Sequence, residues 1–155
     1  MKSNLFKADC LGISGTYTSD SPEETHRLGK AFGSTLPVNA IVAFFGDLGT
    51  GKTTFIRGLV EGIGGIDLKS VCSPTFTFLN IYQGNKTMYH FDLYRLPRSE
   101  EFFAAGFEEY FYAGGICCVE WAEKIKAQLP CETINVQISY LNEGCRQIEV
   151  IGGKT

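Results

Sequence analysis

The residues Gly46-Asp47-Leu48-Gly49-Thr50-Gly51-Lys52-Thr53 have the Gly-x-x-x-x-Gly-Lys-Thr spacing of a phosphate-binding loop. Glycine permits backbone conformations closed to other residues and lets phosphate oxygens come close. The loop N–H groups and the first turn of a following helix then point at an anion. Lys52 is spaced to reach β- and γ-phosphates, and the Thr53 hydroxyl to ligate Mg²⁺. The expected nucleotide contacts are Gly46, Asp47, Leu48, Gly49, Thr50, Gly51, Lys52, Thr53 and Thr54. The rival reading is a glycine-rich turn that binds nothing.

A phosphate loop of this kind needs a carboxylate at the end of a neighbouring strand to organise Mg²⁺. Two positions qualify. Ile116-Cys117-Cys118-Val119 is apolar throughout, as a central strand is, and delivers Glu120, the better metal candidate. The alternating, partly exposed run Thr87 to Phe91 delivers Asp92, suited to act through water. For each acid the alternative is a solvated strand end. Thr75 lies in the loop after the phosphate-loop helix, where a γ-phosphate-sensing threonine would sit, with Ser73 and Pro74 stiffening its approach. The catalytic candidates are therefore Lys52, Thr75, Asp92 and Glu120, and the metal candidates Thr53 and Glu120. His26 and His90 read as structural, Trp121 as core or as a wall of the nucleotide site. Tyr94 and Arg95 face a phosphate, a partner or solvent.

The elements that must position these groups follow from local patterns. Asn39 to Phe45 reads as a buried strand, and Phe55, Leu59 and Ile63 give the next segment an apolar helical face ended by Gly62 to Gly65. Ser21-Pro22-Glu23-Glu24 starts an earlier helix, with Ser21 as cap and Glu24 closing a capping box. Leu28, Ala31, Phe32 and Leu36 would pack that helix on the sheet. Gly15 to Thr18 fits a short strand. Phe76 to Tyr82 and Thr87 to Phe91 read as a hairpin around Gln83 to Lys86. Short helices are expected at Ser99–Ala105, with Ser99 as cap, and at Phe107–Phe111. A further helix spans Ala122 to Leu129. Thr133 to Tyr140 and Arg146 to Ile151 form a last strand pair around Asn142-Glu143-Gly144.

A chain of 155 residues, 44% hydrophobic and 20% charged, suits one domain with a real core. The first 14 or so residues read as an irregular extension. No run is long enough to span a membrane, and Met1 to Asp9 lacks the apolar segment of a signal peptide. The six cysteines form no Cys-x-x-Cys pair, which argues against zinc and for a reduced, cytoplasmic setting. Cys117 and Cys118 read as small core hydrophobes. Net charge is −3, and no two of the fourteen Lys and Arg residues are adjacent, so a nucleic-acid grip is not expected.

Together, Gly-Asp-Leu-Gly-Thr-Gly-Lys-Thr-Thr at 46–54, Ser-Pro-Thr-Phe-Thr at 73–77, His-Phe-Asp-Leu-Tyr-Arg at 90–95 and Glu-Trp-Ala-Glu at 120–123 resemble the TsaE (YjeE) family. These are small bacterial ATPases needed to make threonylcarbamoyladenosine in tRNA. The resemblance runs from about Thr18 to the final hairpin. It implies an α/β fold, a P-loop NTPase built as a three-layer sandwich: a mixed sheet, parallel at its centre, plus antiparallel hairpins. By the same resemblance Thr53 and Glu120 match the family's Mg²⁺ positions. Thr75 and Asp92 match its switch-loop and catalytic or metal-organising positions. The cofactors implied are ATP or ADP with Mg²⁺. The partners implied are TsaD and TsaB, with tRNA reached only through them and an ATPase that is weak alone. Thr50 departs from the more usual alanine, and Ala122 from the proline common after Glu-Trp.

Other functions would make different demands on the same residues. A small-molecule P-loop kinase would carry several lid arginines, and here only Arg95 and Arg98 lie close together. A GTPase would read guanine with Asn-Lys-x-Asp; Asn85-Lys86-Thr87-Met88 lacks the aspartate. A nucleotide-dependent binding module that does not hydrolyse shades into the main reading.

Overall fold

Seven strands form one sheet in the order β1-β7-β6-β2-β5-β4-β3 in the computed structural model, which describes residues 14–152. The strands are β1 (Gly15–Ser19), β2 (Ile41–Phe45), β3 (Leu79–Tyr82), β4 (Met88–Asp92), β5 (Ile116–Glu120), β6 (Ile134–Asn142) and β7 (Cys145–Ile151). The helices are α1 (Pro22–Gly33), α2 (Lys52–Ile63) and α3 (Ser99–Ala104). β6, β2, β5 and β4 run parallel, while β1–β7, β7–β6 and β3–β4 are antiparallel. The expected irregular extension falls almost wholly outside the described residues. No helix among the described residues is long and apolar enough to cross a membrane.

Successive side chains of a strand point to opposite faces, and both faces here are covered. Val42, Phe44, Met88, Ile116, Cys118 and Val136 pack with Phe32, Phe55 and Leu59 of α1 and α2. Ile41, Ala43, Phe91, Cys117 and Val119 pack on the other side with Phe102, Phe111 and Ile125. This is the expected three-layer sandwich. Cys117 and Cys118 are buried core residues, and burial alone pushes the Cys117 thiol up to about 12.

α1 begins as its sequence indicates. Ser21 accepts from the Glu24 N–H at 3.1 Å, with Pro22 leading the helix. Glu24 reaches back one residue further than a capping box requires, to the Asp20 N–H at 3.0 Å. Phe32 joins the core over the sheet, but the closest approach of α1 is to α2. Gly29 and Gly33 face the carbonyls of Phe55 and Leu59, while Gly58 and Gly62 face those of His26 and Lys30. A methyl at any of these four positions would collide with the opposing backbone. Gly62 therefore belongs to this seam inside α2; the helix ends at Ile63 with Gly64 as cap.

Several local readings are corrected. Phe76 to Phe78 is a turn, since Phe78 takes φ +67° and its N–H bonds Pro74 O at 2.7 Å; the strand begins at Leu79. β4 is buried at every residue, because its two alternating faces each meet a layer and β5 and β3 cover its edges. Ser99 opens α3 without capping it; Arg98 holds the cap position and makes no side-chain bond there. Ala122–Gln128 is 3₁₀ structure broken at Ile125 (φ −129°), and Phe107–Tyr112 is also 3₁₀.

The seam gives an opposed-sign test. Helix propensity alone would make Gly58→Ala stabilising by about 1 kcal/mol. Overpacking against the His26 carbonyl costs about 1–3 kcal/mol, so a melting temperature lowered by several degrees is expected. A raised melting temperature in a calorimetric scan would contradict the close seam.

Candidate functional site

Parallel strands end at one edge, so the last residues of β2, β4 and β5 meet there. Phe44 pairs with Glu120, and Asp92 pairs with Glu120 on the other side. The loop 46–51 leaves β2 at this edge and feeds α2. Gly46 (φ +143°) crosses so close to the Ile138 carbonyl that no side chain fits there.

The edge opens into a cleft of about 470 Å³ lined by Leu48, Gly49, Gly51, Lys52, Thr53, Thr54, Ser73, Thr75, Asp92, Tyr94, Glu120 and Trp121. All four expected catalytic residues and both expected metal residues meet in it. Gly46, Asp47 and Thr50 face a second hollow of about 440 Å³ on the far side of the loop, beside Ser139 and Tyr140.

Glu120 is only 3% exposed and Asp92 4%, so both carboxylates need partners. Glu120 Oε1 accepts from the Thr53 hydroxyl at 3.3 Å. Its Oε2 lies 2.9 Å from Ser73 Oγ and 2.7 Å from His90 Nε2. Burial drives this carboxyl toward protonation, but the hydrogen bonds with His90, Ser73 and Thr53 outweigh it and hold the group below its ordinary value. Asp92 accepts from Thr75 Oγ1 at 3.1 Å and from the Tyr94 N–H at 3.0 Å. The expectation that Asp92 ends a partly exposed strand is thus corrected: burial of β4 makes it as enclosed as Glu120. The segment 71–78 is held on the acids by Ser73 and Thr75, and behind them by Arg57, which donates to Val71 O at 2.9 Å.

Lys52 is buried and donates to the Gly46 carbonyl and to Asp47 O at 3.2 Å. Its Nζ sits 4.1 Å from the centre of the Trp121 ring, a cation–π contact. Burial lowers its ammonium pKa, against the upward pull of Glu120, Glu123, Asp47 and Asp92. Trp121 takes φ +57°, a costly conformation for a large residue. That turn sets the indole beneath Lys52 and 4.9 Å from the Tyr94 ring, making Trp121 a wall of the cleft. Arg95 points away and stacks on the exposed Phe76 ring at 4.2 Å.

Three residues were missed as parts of the site. His90 looked like a packed core residue; its position two before Asp92 on one strand face was the available signal. Tyr140 and Arg146, in the β6–β7 pair, brace the loop: Tyr140 OH donates to Gly49 O at 2.7 Å and Arg146 Nε to Thr50 O at 3.0 Å. Arg146 also stacks on Tyr140 at 4.1 Å. Nothing in strand alternation announces such a brace. Thr50, where alanine is more usual, adds a hydroxyl bond to Asp47 O at 2.9 Å.

Strand, glycine loop and helix, with acids on two adjacent strands, define a P-loop α/β domain. The sequence matches the family model described as "Threonylcarbamoyl adenosine biosynthesis protein TsaE" over residues 19–148. The chain belongs to the TsaE family. It is 39% identical over 132 residues to the tRNA threonylcarbamoyladenosine biosynthesis protein TsaE of Treponema pallidum, covering 85% of this chain and 96% of that one. It is 43% identical over 131 residues to the protein of that name from Haemophilus influenzae, covering 81% of each. The crystal structure of Bacillus subtilis YdiB superposes with a TM-score of 0.75 at 31% identity, covering 91% of this chain and 86% of that one.

The brace is testable through the Thr50 amide, which bonds Asp47 O at 3.3 Å inside the loop. Tyr140→Phe removes one hydrogen bond worth about 0.5–1.5 kcal/mol. The Thr50 amide should then exchange roughly 3–10-fold faster, with the melting temperature lowered by no more than a few degrees; an unchanged rate would remove Tyr140 from the loop's support.

Proposed function

We propose that this chain is a single-domain, Mg²⁺-dependent ATPase that serves threonylcarbamoyladenosine modification of tRNA together with TsaD and TsaB. The observation that carries the reading is the convergence of Lys52, Thr53, Asp92 and Glu120 in one cleft of a TsaE-family chain. The names of the relatives support the pathway. The missing guanine motif supports ATP over GTP. The five described cysteines are all unpaired, which suits a reducing cytoplasm.

The donor set fits magnesium. Thr53 and Glu120 offer hard oxygens side by side, and Mg²⁺ in such sites takes one or two protein oxygens with phosphates and water. Held by Thr53 and Glu120, the ion would supply positive charge against the phosphate oxygens. The chain supplies the rest. Backbone N–H groups of the loop and of the first turn of α2 would receive the phosphates, and Lys52 would exchange its loop carbonyls for phosphate oxygens. Asp92 orients the attacking water or accepts its proton. Thr75, which Asp92 holds, reports on the γ-phosphate.

The direct test is ATP hydrolysis by the chain mixed with TsaB and TsaD. Stimulated turnover is expected, and no ATP consumption in the assembled mixture would defeat the proposal. Lys52→Ala should lower stimulated turnover on the order of 10²–10³-fold while the melt moves by only a few degrees, since one positioned cation is lost. Parent-like turnover would show that the loop does not bind phosphate productively.

The two acids should separate. Glu120 touches Thr53, so Glu120→Gln should weaken the magnesium dependence of ADP affinity. Asp92 touches Thr75 instead, so Asp92→Asn should keep nucleotide binding and lower stimulated hydrolysis on the order of 10²–10⁴-fold. Magnesium titrations of both variants would show the reverse pattern if the roles are exchanged.

A further inference from the structure

His90 is fully buried on β4, one strand away from Glu120, and shares a sheet face with Asp92. Its register partner on β5 is Cys118, so it reaches Glu120 diagonally, two residues along on the same face. The contact makes the carboxylate lopsided. Oε2 carries the two short bonds, 2.7 Å to His90 Nε2 and 2.9 Å from Ser73 Oγ. Oε1 carries only the Thr53 hydroxyl at 3.3 Å. An ionised carboxylate only accepts, so Nε2 is the nitrogen that carries the hydrogen. His90 Nδ1 is buried with no partner among the described residues. A core histidine kept for packing would gain from satisfying both nitrogens; this one is committed to a single acceptor.

We infer that His90 is a positioning residue that locks Oε2 of Glu120 and so turns Oε1 toward Thr53 as the metal-facing oxygen. The inference deepens the proposed magnesium role of Glu120 and rests on it. Carboxylates that ligate metals are themselves commonly held by hydrogen bonds, and loss of such a partner typically weakens metal affinity about 10–100-fold. His90 then serves metal affinity and not phosphate affinity, because it touches neither the loop nor the cleft surface.

The test compares His90→Gln, whose amide N–H can stand near Nε2, with His90→Leu, which fills space without a donor. ADP affinity is measured by calorimetry in EDTA and across a magnesium titration, with Glu120→Gln alongside. In His90→Leu, the magnesium concentration at half-effect should rise about 10–100-fold while ADP affinity in EDTA stays within about twofold. His90→Gln should restore most of the magnesium response. A parent-like response in His90→Leu, or a Gln variant as impaired as the Leu variant, would overturn the inference. Nitrogen NMR of the unsubstituted protein decides independently of whether His90→Leu folds: His90 should show a protonated Nε2 and a bare Nδ1, and the opposite tautomer would overturn it. If Glu120→Gln itself keeps the full magnesium response, the metal role of Glu120 falls and His90 falls with it. If Glu120→Gln loses the response and His90→Leu does not, only the His90 inference falls.

Discussion

Two carboxylates buried side by side at the ends of adjacent parallel strands are the constraint around which this site is arranged. Removing such groups from water is costly unless each is bonded, and like charges so placed repel. The chain answers with neutral hydroxyls and one imidazole: Ser73, Thr53 and His90 on Glu120, Thr75 and a backbone N–H on Asp92. Three of these donors sit on α2 or on the segment 71–78. The position of that segment is therefore a consequence of the acids' need for partners, with Arg57 and Tyr82 tying its start.

The helix layer has a matching demand. α2 must deliver Thr53 to Glu120 and still cover the sheet. Four glycines let α1 lie against it at backbone distance, so α2 is held from the side as well as from below. Glycine inside a helix costs about 1 kcal/mol each, a loss that the close seam has to offset. The same helix pair brings His26, Lys30 and Glu61 together at its exposed edge, where an ion pair adds little.

What was legible in the sequence follows from the range of the interactions. The phosphate loop is a local backbone requirement, so eight consecutive residues declare it. β5 declared itself as a central strand because all four residues before Glu120 are apolar. β4 misled because its alternation marks two different layers, not a wet and a dry face. Gly62 misled for a related reason: near a helix end glycine reads as a stop, and only its four-residue spacing from Gly58, repeated by Gly29 and Gly33, hints at a seam. His90, Tyr140 and Arg146 depend on sheet register and on contacts 30 to 96 residues apart in sequence, which no local pattern encodes.

The charges in the cleft are kept apart. The ion pairs among the described residues do not include Lys52, although Glu120 and Asp92 line the same cleft. Lys52 is instead bonded to two loop carbonyls and laid over an indole, and the acids are bonded to hydroxyls and an imidazole. A direct Lys52–Glu120 bridge inside this low-dielectric cleft would be strong, and both groups would have to be torn from it before either could meet a ligand. Neutral partners satisfy each charge more weakly and can be exchanged one at a time. A ligand that carries separate negative and positive centres can be received by charges kept apart in this way without first breaking a bridge. Trp121 is part of this separation: its left-handed backbone sets a polarised but uncharged ring against the Lys52 ammonium.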